Sequence, residues 1–204
     1  MAACSEHQEY HALIAPSDKI SLEKQSALSK LQAKFRGGRD RVTHISRLRE
    51  GKPICPFLRT PANAVTAMLE MGKVGVGDTV FDLGCGDGVI SLAAARAGAK
   101  VTGFDIDQVH LSTARRRAAE EELKIEFRCD DIFEMDYECG VLVMFLVPNM
   151  LEPLRARFKS MPAGTRILSY HFPLPAWEAD QVREVDHPHH APPATSTVYL
   201  YVVT

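Results

Sequence analysis

Nine residues at positions 80–88, VFDLGCGDG, combine an apolar run with two aspartates and three alternating glycines. The apolar run predicts a buried strand that ends in a loop. Glycine loses more conformational entropy on folding than other residues and contributes no side chain to packing. Three glycines at Gly84, Gly86 and Gly88 therefore indicate that a ligand comes close to the backbone, and we expect their N–H groups to approach it.

Two kinds of ligand bind loops of this type. A dinucleotide site has the pattern G-x-G-x-x-G, with the pyrophosphate at a helix N-terminus. Here the third position after Gly86 is Val89, and Asp82 and Asp87 place negative charge where a pyrophosphate would lie. The loop therefore disfavours NAD and favours a ligand with a cationic amino group and no phosphate.

Carboxylates also follow the next two predicted strands. Asp105 ends KVTGFDID, where a carboxylate can bind both hydroxyls of a ribose. FRCDDIF places Asp130 and Asp131 at the same edge of the sheet; one of them can accept a hydrogen bond from an adenine amino group, and Ile106 and Ile132 can provide apolar walls. An amine, a ribose and an adenine together describe S-adenosylmethionine. Asp131 is equally well explained as an ordinary turn residue.

Strands and helices alternate from Thr79 onward, which predicts an α/β fold. We expect a doubly wound, Rossmann-like sheet of seven strands, mostly parallel, with an antiparallel last strand because no helix precedes it. A further helix is predicted to open at Thr60, with Pro61 in its first position. The predicted strands are TVFDL, KVTGFDI, IEFRCD, VLVMFLV, TRILSYHF, QVREVD and STVYLYVV.

Charge divides the 204-residue chain into two parts. Residues 1–60 hold eleven Lys and Arg against six Asp and Glu, whereas the rest holds 13 against 20. We predict a basic N-terminal tail and helix over residues 1–52 and a catalytic domain over 53–204, with no nucleic-acid or membrane partner. The five scattered cysteines form no CxxC pair, and the histidines of DHPHHAPP lie in a proline-rich loop, so no metal site is expected.

Residues 57–204 resemble a class I S-adenosylmethionine-dependent methyltransferase, with D-x-G-x-G-x-G as motif I and Asp105 after the second strand. The segments PFLRTPANAVTAMLEMGKVGVGDTVFDLGCGDG, FLVPNMLEPL and PAGTRILSYHFPLPAW resemble the small lysine methyltransferases of the ATP synthase c-subunit and adenine nucleotide translocator, with their bacterial relatives. The resemblance implies cofactor contacts from Phe57, Thr60 and the motif I loop, including Cys85. It also implies a methyl channel lined by Phe145, Leu146 and Pro148, and we add Tyr170 as a substrate contact.

The resemblance implies transfer of a methyl group from S-adenosylmethionine to a protein lysine, which leaves S-adenosylhomocysteine. No catalytic acid or base is assigned, because the cofactor already carries an activated methyl group. The alternatives are a small-molecule methyltransferase and a non-catalytic adaptor. The resembling mitochondrial enzymes have a hydrophobic N-terminal segment where this chain has a polar, basic helix, so we expect a cytoplasmic protein.

The basic N-terminal part contains a second motif. Leu31, Gln32, Arg36, Gly37 and Arg41 match the specified positions of an IQ motif, Ile/Leu-Gln-x-x-x-Arg-Gly-x-x-x-Arg, and Phe35 lies four residues after Leu31. Apolar anchors four residues apart, surrounded by arginines, are typical of helices that calmodulin binds. The alternative is a solvated helix that packs on the catalytic domain.

Overall fold

A computed structural model describes residues 57–186 and 195–204. The IQ-like motif and the histidines of DHPHHAPP lie outside these residues. Four helices are present in the described part: α1 (Ala62–Met71), α2 (Val89–Arg96), α3 (Gln108–Glu120) and α4 (Pro148–Lys159). The strands are β1 (Thr79–Leu83), β2 (Lys100–Phe104), β3 (Ile125–Arg128), β4 (Val141–Met144), β5 (Arg166–Tyr170), β6 (Gln181–Asp186) and β7 (Thr195–Val202).

All seven strands form one sheet in the order β3-β2-β1-β4-β5-β7-β6. The first five are parallel, and β7 runs antiparallel to both β5 and β6. This confirms the Rossmann-like fold and the reversed last strand. Because Leu83 pairs with Phe104 on one side and Met144 on the other, these three parallel strands end at the same edge of the sheet.

Helices cover both faces of the sheet, as the continuous apolar strands predict. On one face α1 and α2 pack against residues such as Val80, Val143 and Leu168, and α3 packs beside them against β3. On the other face the apolar side of α4, with Leu154 and Phe158 fully buried, packs against β4 and β5. Strand β4 is buried at every residue. The carboxyl edge of the sheet is thus held between two layers of helices.

Several boundaries differ from the sequence predictions, and strands β2, β3 and β5 each end two residues earlier than predicted. Helix α1 begins at Ala62, with Pro61 as its extended N-cap rather than its first helical residue. The strand predicted over residues 141–147 ends at Met144, where its pairing with the neighbouring strands also ends, and α4 begins with Pro148. Val147 is extended, with ψ 155°, as the residue before a proline prefers. Phe145 and Leu146 therefore belong to the turn between β4 and α4.

None of the helices in residues 57–186 and 195–204 is both long and apolar enough to cross a membrane.

Candidate active site

Asp82 lies in β1, an interior strand of the sheet, and is 1% exposed. Its Oδ2 accepts two hydrogen bonds from Ser91 of α2, one from the backbone N–H at 3.0 Å and one from the hydroxyl at 2.6 Å. Burial raises the pKa of Asp82 to about 7, although the two hydrogen bonds from Ser91 act to lower it. The nearby carboxylates of Asp105 and Asp87 also raise this pKa. A cation placed beside this buried carboxyl group would favour its charged form.

The three glycines of the loop all have positive φ: 70° at Gly84, 54° at Gly86 and 81° at Gly88. This left-handed backbone explains their choice, since a side chain there would be strained. Their N–H groups differ from the prediction, because each already donates to a protein oxygen: Gly84 to Phe104, Gly86 to the Asp105 carboxylate and Gly88 to Cys85. The glycines therefore allow the tight conformation of the loop and leave no side chain between its backbone and a ligand. Their N–H groups are already used in hydrogen bonds within the protein.

Asp105 holds the loop from the end of β2. Its Oδ2 accepts from the N–H of Gly86 at 2.9 Å, and its Oδ1 accepts from the N–H of Asp107 at 2.8 Å. Burial raises the pKa of Asp105, although these two hydrogen bonds and the nearby His110 act to lower it. Each carboxylate oxygen keeps a second lone pair, so Asp105 can still accept hydrogen bonds from two ribose hydroxyls.

Asp87 is held by arginines from two other segments. Its Oδ2 lies 3.2 Å from Arg59, just before α1, and 2.9 Å from Arg117 of α3. Arg117 also donates to the backbone oxygen of Asp87 at 2.9 Å. The negative charge of Asp87 is therefore partly compensated within the protein, and Asp82 and Asp105 remain the main acids facing a ligand.

Phe57 lies directly over the loop. A Cβ atom on Gly86 would come within 2.4 Å of the Phe57 ring, so this aromatic side chain occupies the space beside that glycine. The ring centroid of His110 is 4.3 Å from that of Phe57. Thr60 follows in the same segment and is buried. The segment before α1 therefore covers the glycine loop, where the cofactor was predicted to bind.

The predicted methyl channel adjoins the loop. A Cβ atom on Gly84 would lie 3.0 Å from the side chain of Leu146. Phe145 is half-buried, and its ring meets that of Tyr170 edge-on at 4.8 Å between centroids. Tyr170 is 1% exposed, so it supports Phe145 from behind instead of lining an open surface. Pro148 opens α4 at the end of the same turn.

The acids after β3 have partners within the protein. Asp130 forms an ion pair with Arg128 at 2.7 Å, and Asp131 accepts a hydrogen bond from the N–H of Phe133 at 3.0 Å. Ile132 is buried in the core, whereas Ile106 is half-buried beside Asp105. An adenine contact from either acid therefore stays a prediction.

Cys85 packs inside the loop without a chemical role. It is 6% exposed, and a Cβ atom on Gly103 would lie 3.0 Å from its sulfur. Burial raises the pKa of its thiol well above the usual range, so it remains protonated. Its side chain fills the space beside Gly103 of β2.

The site combines two acids, a glycine loop and the ring of Phe57, and this combination suits one kind of ligand. Asp82 lies where a cationic amino group can be bound, Asp105 can bind a ribose, and the apolar turn after β4 lies next to the loop. Among the described residues no cluster of His, Cys, Asp and Glu can hold a metal ion. The residues therefore fit S-adenosylmethionine.

Comparisons with known proteins agree with this geometry. Residues 82–181 match the protein-family model described as the ANTKMT methyltransferase domain. The chain is 33% identical over 157 residues to a protein-lysine N-methyltransferase of Saccharolobus islandicus, covering 74% of this chain and 95% of that relative. The chain belongs to the S-adenosylmethionine-dependent protein-lysine methyltransferases.

Two further known proteins are similar to this methyltransferase. The adenine nucleotide translocase lysine N-methyltransferase of Mus musculus is 30% identical over 128 residues, and the match spans 60% of this chain and 56% of that relative. A crystal structure of an RNA methyltransferase from Salinibacter ruber, in complex with S-adenosylhomocysteine, superposes with a TM-score of 0.64 at 34% identity, covering 72% of this chain and 94% of that chain.

Several residues of this methyltransferase site were missed in the sequence. Ser91 binds Asp82, Arg59 and Arg117 bind Asp87, and His110 stacks on Phe57. In the sequence, only Asp87, the second aspartate of the loop, indicated that such partners exist, because a partly buried acid requires a cationic partner. Which arginines provide it depends on the packing of α3 and of the segment before α1.

The raised pKa of Asp82 predicts a pH-dependent stability. Between 3.8, the unfolded value, and about 7, native Asp82 binds more protons than unfolded Asp82 does. The free energy of unfolding therefore falls as pH rises through this window. We expect urea denaturation to show this slope in the wild type and a weaker slope in Asp82→Asn, whose amide oxygen can still accept from Ser91. Equal slopes in the two proteins would contradict the assignment.

Asp105 should contribute directly to cofactor affinity. Replacing it with alanine removes charge-assisted hydrogen bonds to the ribose and loosens the loop at Gly86, so we expect S-adenosylhomocysteine binding to weaken by ~1–3 kcal/mol. Isothermal titration calorimetry measures this loss. Asp136→Ala is a suitable control, because the Asp136 side chain is exposed to solvent. An unchanged affinity in Asp105→Ala would remove this residue from the site.

Proposed function

We propose that this enzyme methylates the side-chain amine of lysine in a protein substrate. The observation that carries the proposal is the apolar turn after β4, where Leu146 lies against Gly84 of the cofactor loop and Phe145 stands beside it. An uncharged aromatic wall at that position suits a long aliphatic side chain. The archaeal and mouse relatives, both named as lysine methyltransferases, support the same substrate class.

The protein has few chemical tasks in such a reaction. S-adenosylmethionine supplies a methyl group on a positively charged sulfur. The lysine amine must be neutral to attack, and desolvation between Phe145, Leu146 and Pro148 lowers its pKa. Packing of these residues beside the loop also excludes water and aligns the nucleophile. The amine releases its proton to solvent before transfer, so no catalytic base is required.

RNA is the second candidate substrate, because the Salinibacter ruber structure is named as an RNA methyltransferase. Nucleic-acid binding depends on basic surface. Residues 61–204 hold 20 acidic against 13 basic residues. Arg117 and Arg128 also form ion pairs with acids of the domain. The charge of the domain therefore favours a protein substrate.

Labelling a fractionated cell extract with tritiated S-adenosylmethionine tests the proposal. We expect acid-stable label in a discrete protein band, and amino-acid analysis of that band should give methyllysine. Asp82→Ala is the control, because it loses the buried carboxylate that the cofactor is proposed to require. Label confined to RNA or to the small-molecule fraction would overturn the protein-lysine proposal while leaving a methyltransferase.

We further propose that residues 31–41 bind a calmodulin-like protein and that the enzyme is cytoplasmic. The spacing of the IQ-like motif and the basic character of residues 1–60 support this proposal. Calmodulin beads should retain the full chain. Retention should be lost when Leu31, Phe35 and Arg36 are replaced together by alanine.

A matched control replaces two apolar residues and one arginine outside the motif, Ile45, Leu48 and Arg49. Retention that survives the first triple replacement, or that is lost equally in the control, would contradict docking at the motif. A fluorescent fusion of the full chain that concentrates in mitochondria would contradict the cytoplasmic location.

A further inference from the structure

His171 has an unusual backbone at the carboxyl end of β5. Four non-glycine residues of the described part have positive φ: Lys73, Glu122, His171 and Ala176. Lys73 and Glu122 follow the ends of α1 and α3, where left-handed residues are common, and Ala176 follows Pro175 in a turn. His171, with φ 71°, has no such explanation.

The backbone at His171 forms a tight γ-turn. The N–H of Phe172 donates to the carbonyl oxygen of Tyr170 at 2.9 Å, and this bond spans His171. A γ-turn with positive φ at its central residue is the rare, strained form. Strain of this kind persists only where the surroundings over-determine it, and it concentrates at functional sites.

Three polar contacts hold the turn in place. The N–H of His171 donates to the carbonyl oxygen of Thr197 at 2.7 Å, and its Nδ1 lies 2.6 Å from the hydroxyl of Ser196. The hydroxyl of Ser169 donates to the carbonyl oxygen of Phe172 at 2.7 Å. Both serines are buried. The orientation of the imidazole is thereby fixed from β5 and β7.

The half-buried imidazole lies among three aromatic rings. Its centroid is 6.1 Å from that of Phe145, 6.0 Å from that of Tyr170 and 4.5 Å from that of Phe172. A fixed imidazole and a strained turn thus lie beside the ring of Phe145, the predicted wall of the methyl channel.

We propose that His171 contacts the target lysine, forming with the adjoining ring of Phe145 one aromatic surface along which its side chain lies. This inference rests on the proposed function, since it concerns the same site. Aromatic rings provide flat apolar contacts for the methylene chain of a lysine. The left-handed turn directs the imidazole to a position that a regular β-strand residue would not reach. His171 is therefore a substrate-binding residue and has no role in holding the cofactor.

The variant His171→Asn tests this role. Asparagine tolerates left-handed backbone but has no ring. We expect kcat/KM for the labelled protein substrate to fall about tenfold, mainly through a higher KM, as lost ring contacts with the lysine methylene chain would cause. S-adenosylhomocysteine affinity should stay within about twofold of the wild type. Ser196→Ala should lower kcat/KM in the same direction, because it releases the ring.

Lys73→Asn is the matched control, since it places the same new residue at a left-handed position at the end of α1. Thermal unfolding of each variant separates folding from binding. A kcat/KM within about twofold of the wild type in well-folded His171→Asn would overturn the inference. So would a loss of activity that only follows a loss of cofactor affinity. Should His171→Asn fail to fold, Ser196→Ala decides by the same criteria.

A separate test applies if the wild type labels no protein, because the proposed function then fails first. Protein saturated with S-adenosylhomocysteine is titrated with n-butylamine, a mimic of the lysine side chain, while NMR follows the His171 imidazole signals assigned by their absence in His171→Asn. Movement of these signals supports an amine site at His171. Unmoved signals overturn the inference as well.

Discussion

Burial of the Asp82 carboxylate near the carboxyl end of β1 is the constraint on which the rest of the site depends. Ser91 binds this carboxylate from the first turn of α2, so the strand, the glycine loop and the helix form one unit. Asp105 then holds the loop from the neighbouring strand through Gly86. Two desolvated acids close together are unfavourable for the empty protein. A cationic ligand with a ribose relieves this cost, which links fold and cofactor choice.

The substrate half of the sheet is built differently. Where the cofactor side is acidic, the turn after β4 contains no charge, and Phe145 and Leu146 line it. Its support comes from β5 and β7, through the buried ring of Tyr170 and the fixed turn at His171. The junction between these halves is the contact of Leu146 with Gly84. A lysine side chain entering the neutral half would meet the cofactor at this junction.

Most of the fold and the cofactor loop could be predicted from the sequence because they depend on local patterns. Alternating apolar runs and helices determine the order of elements, and D-x-G-x-G-x-G depends on positive φ at alternate positions. Pairings between distant segments could not be predicted. Arg59 and Arg117 approach Asp87 only after α1 and α3 have packed, and the γ-turn at His171 depends on Ser196 and Thr197 of β7. The hydrogen bonds of the Gly84 and Gly86 N–H groups could not be predicted for the same reason, since they are made to Phe104 and Asp105.

A crystal structure of the protein with S-adenosylhomocysteine tests the central claim most directly. The account predicts both ribose hydroxyls within hydrogen-bond distance of the Asp105 carboxylate and the amino group beside Asp82. It also predicts that the cofactor sulfur faces Phe145, with the Phe57 ring lying over the bound molecule. A cofactor whose ribose lies away from Asp105, or whose sulfur faces away from the turn after β4, would contradict it.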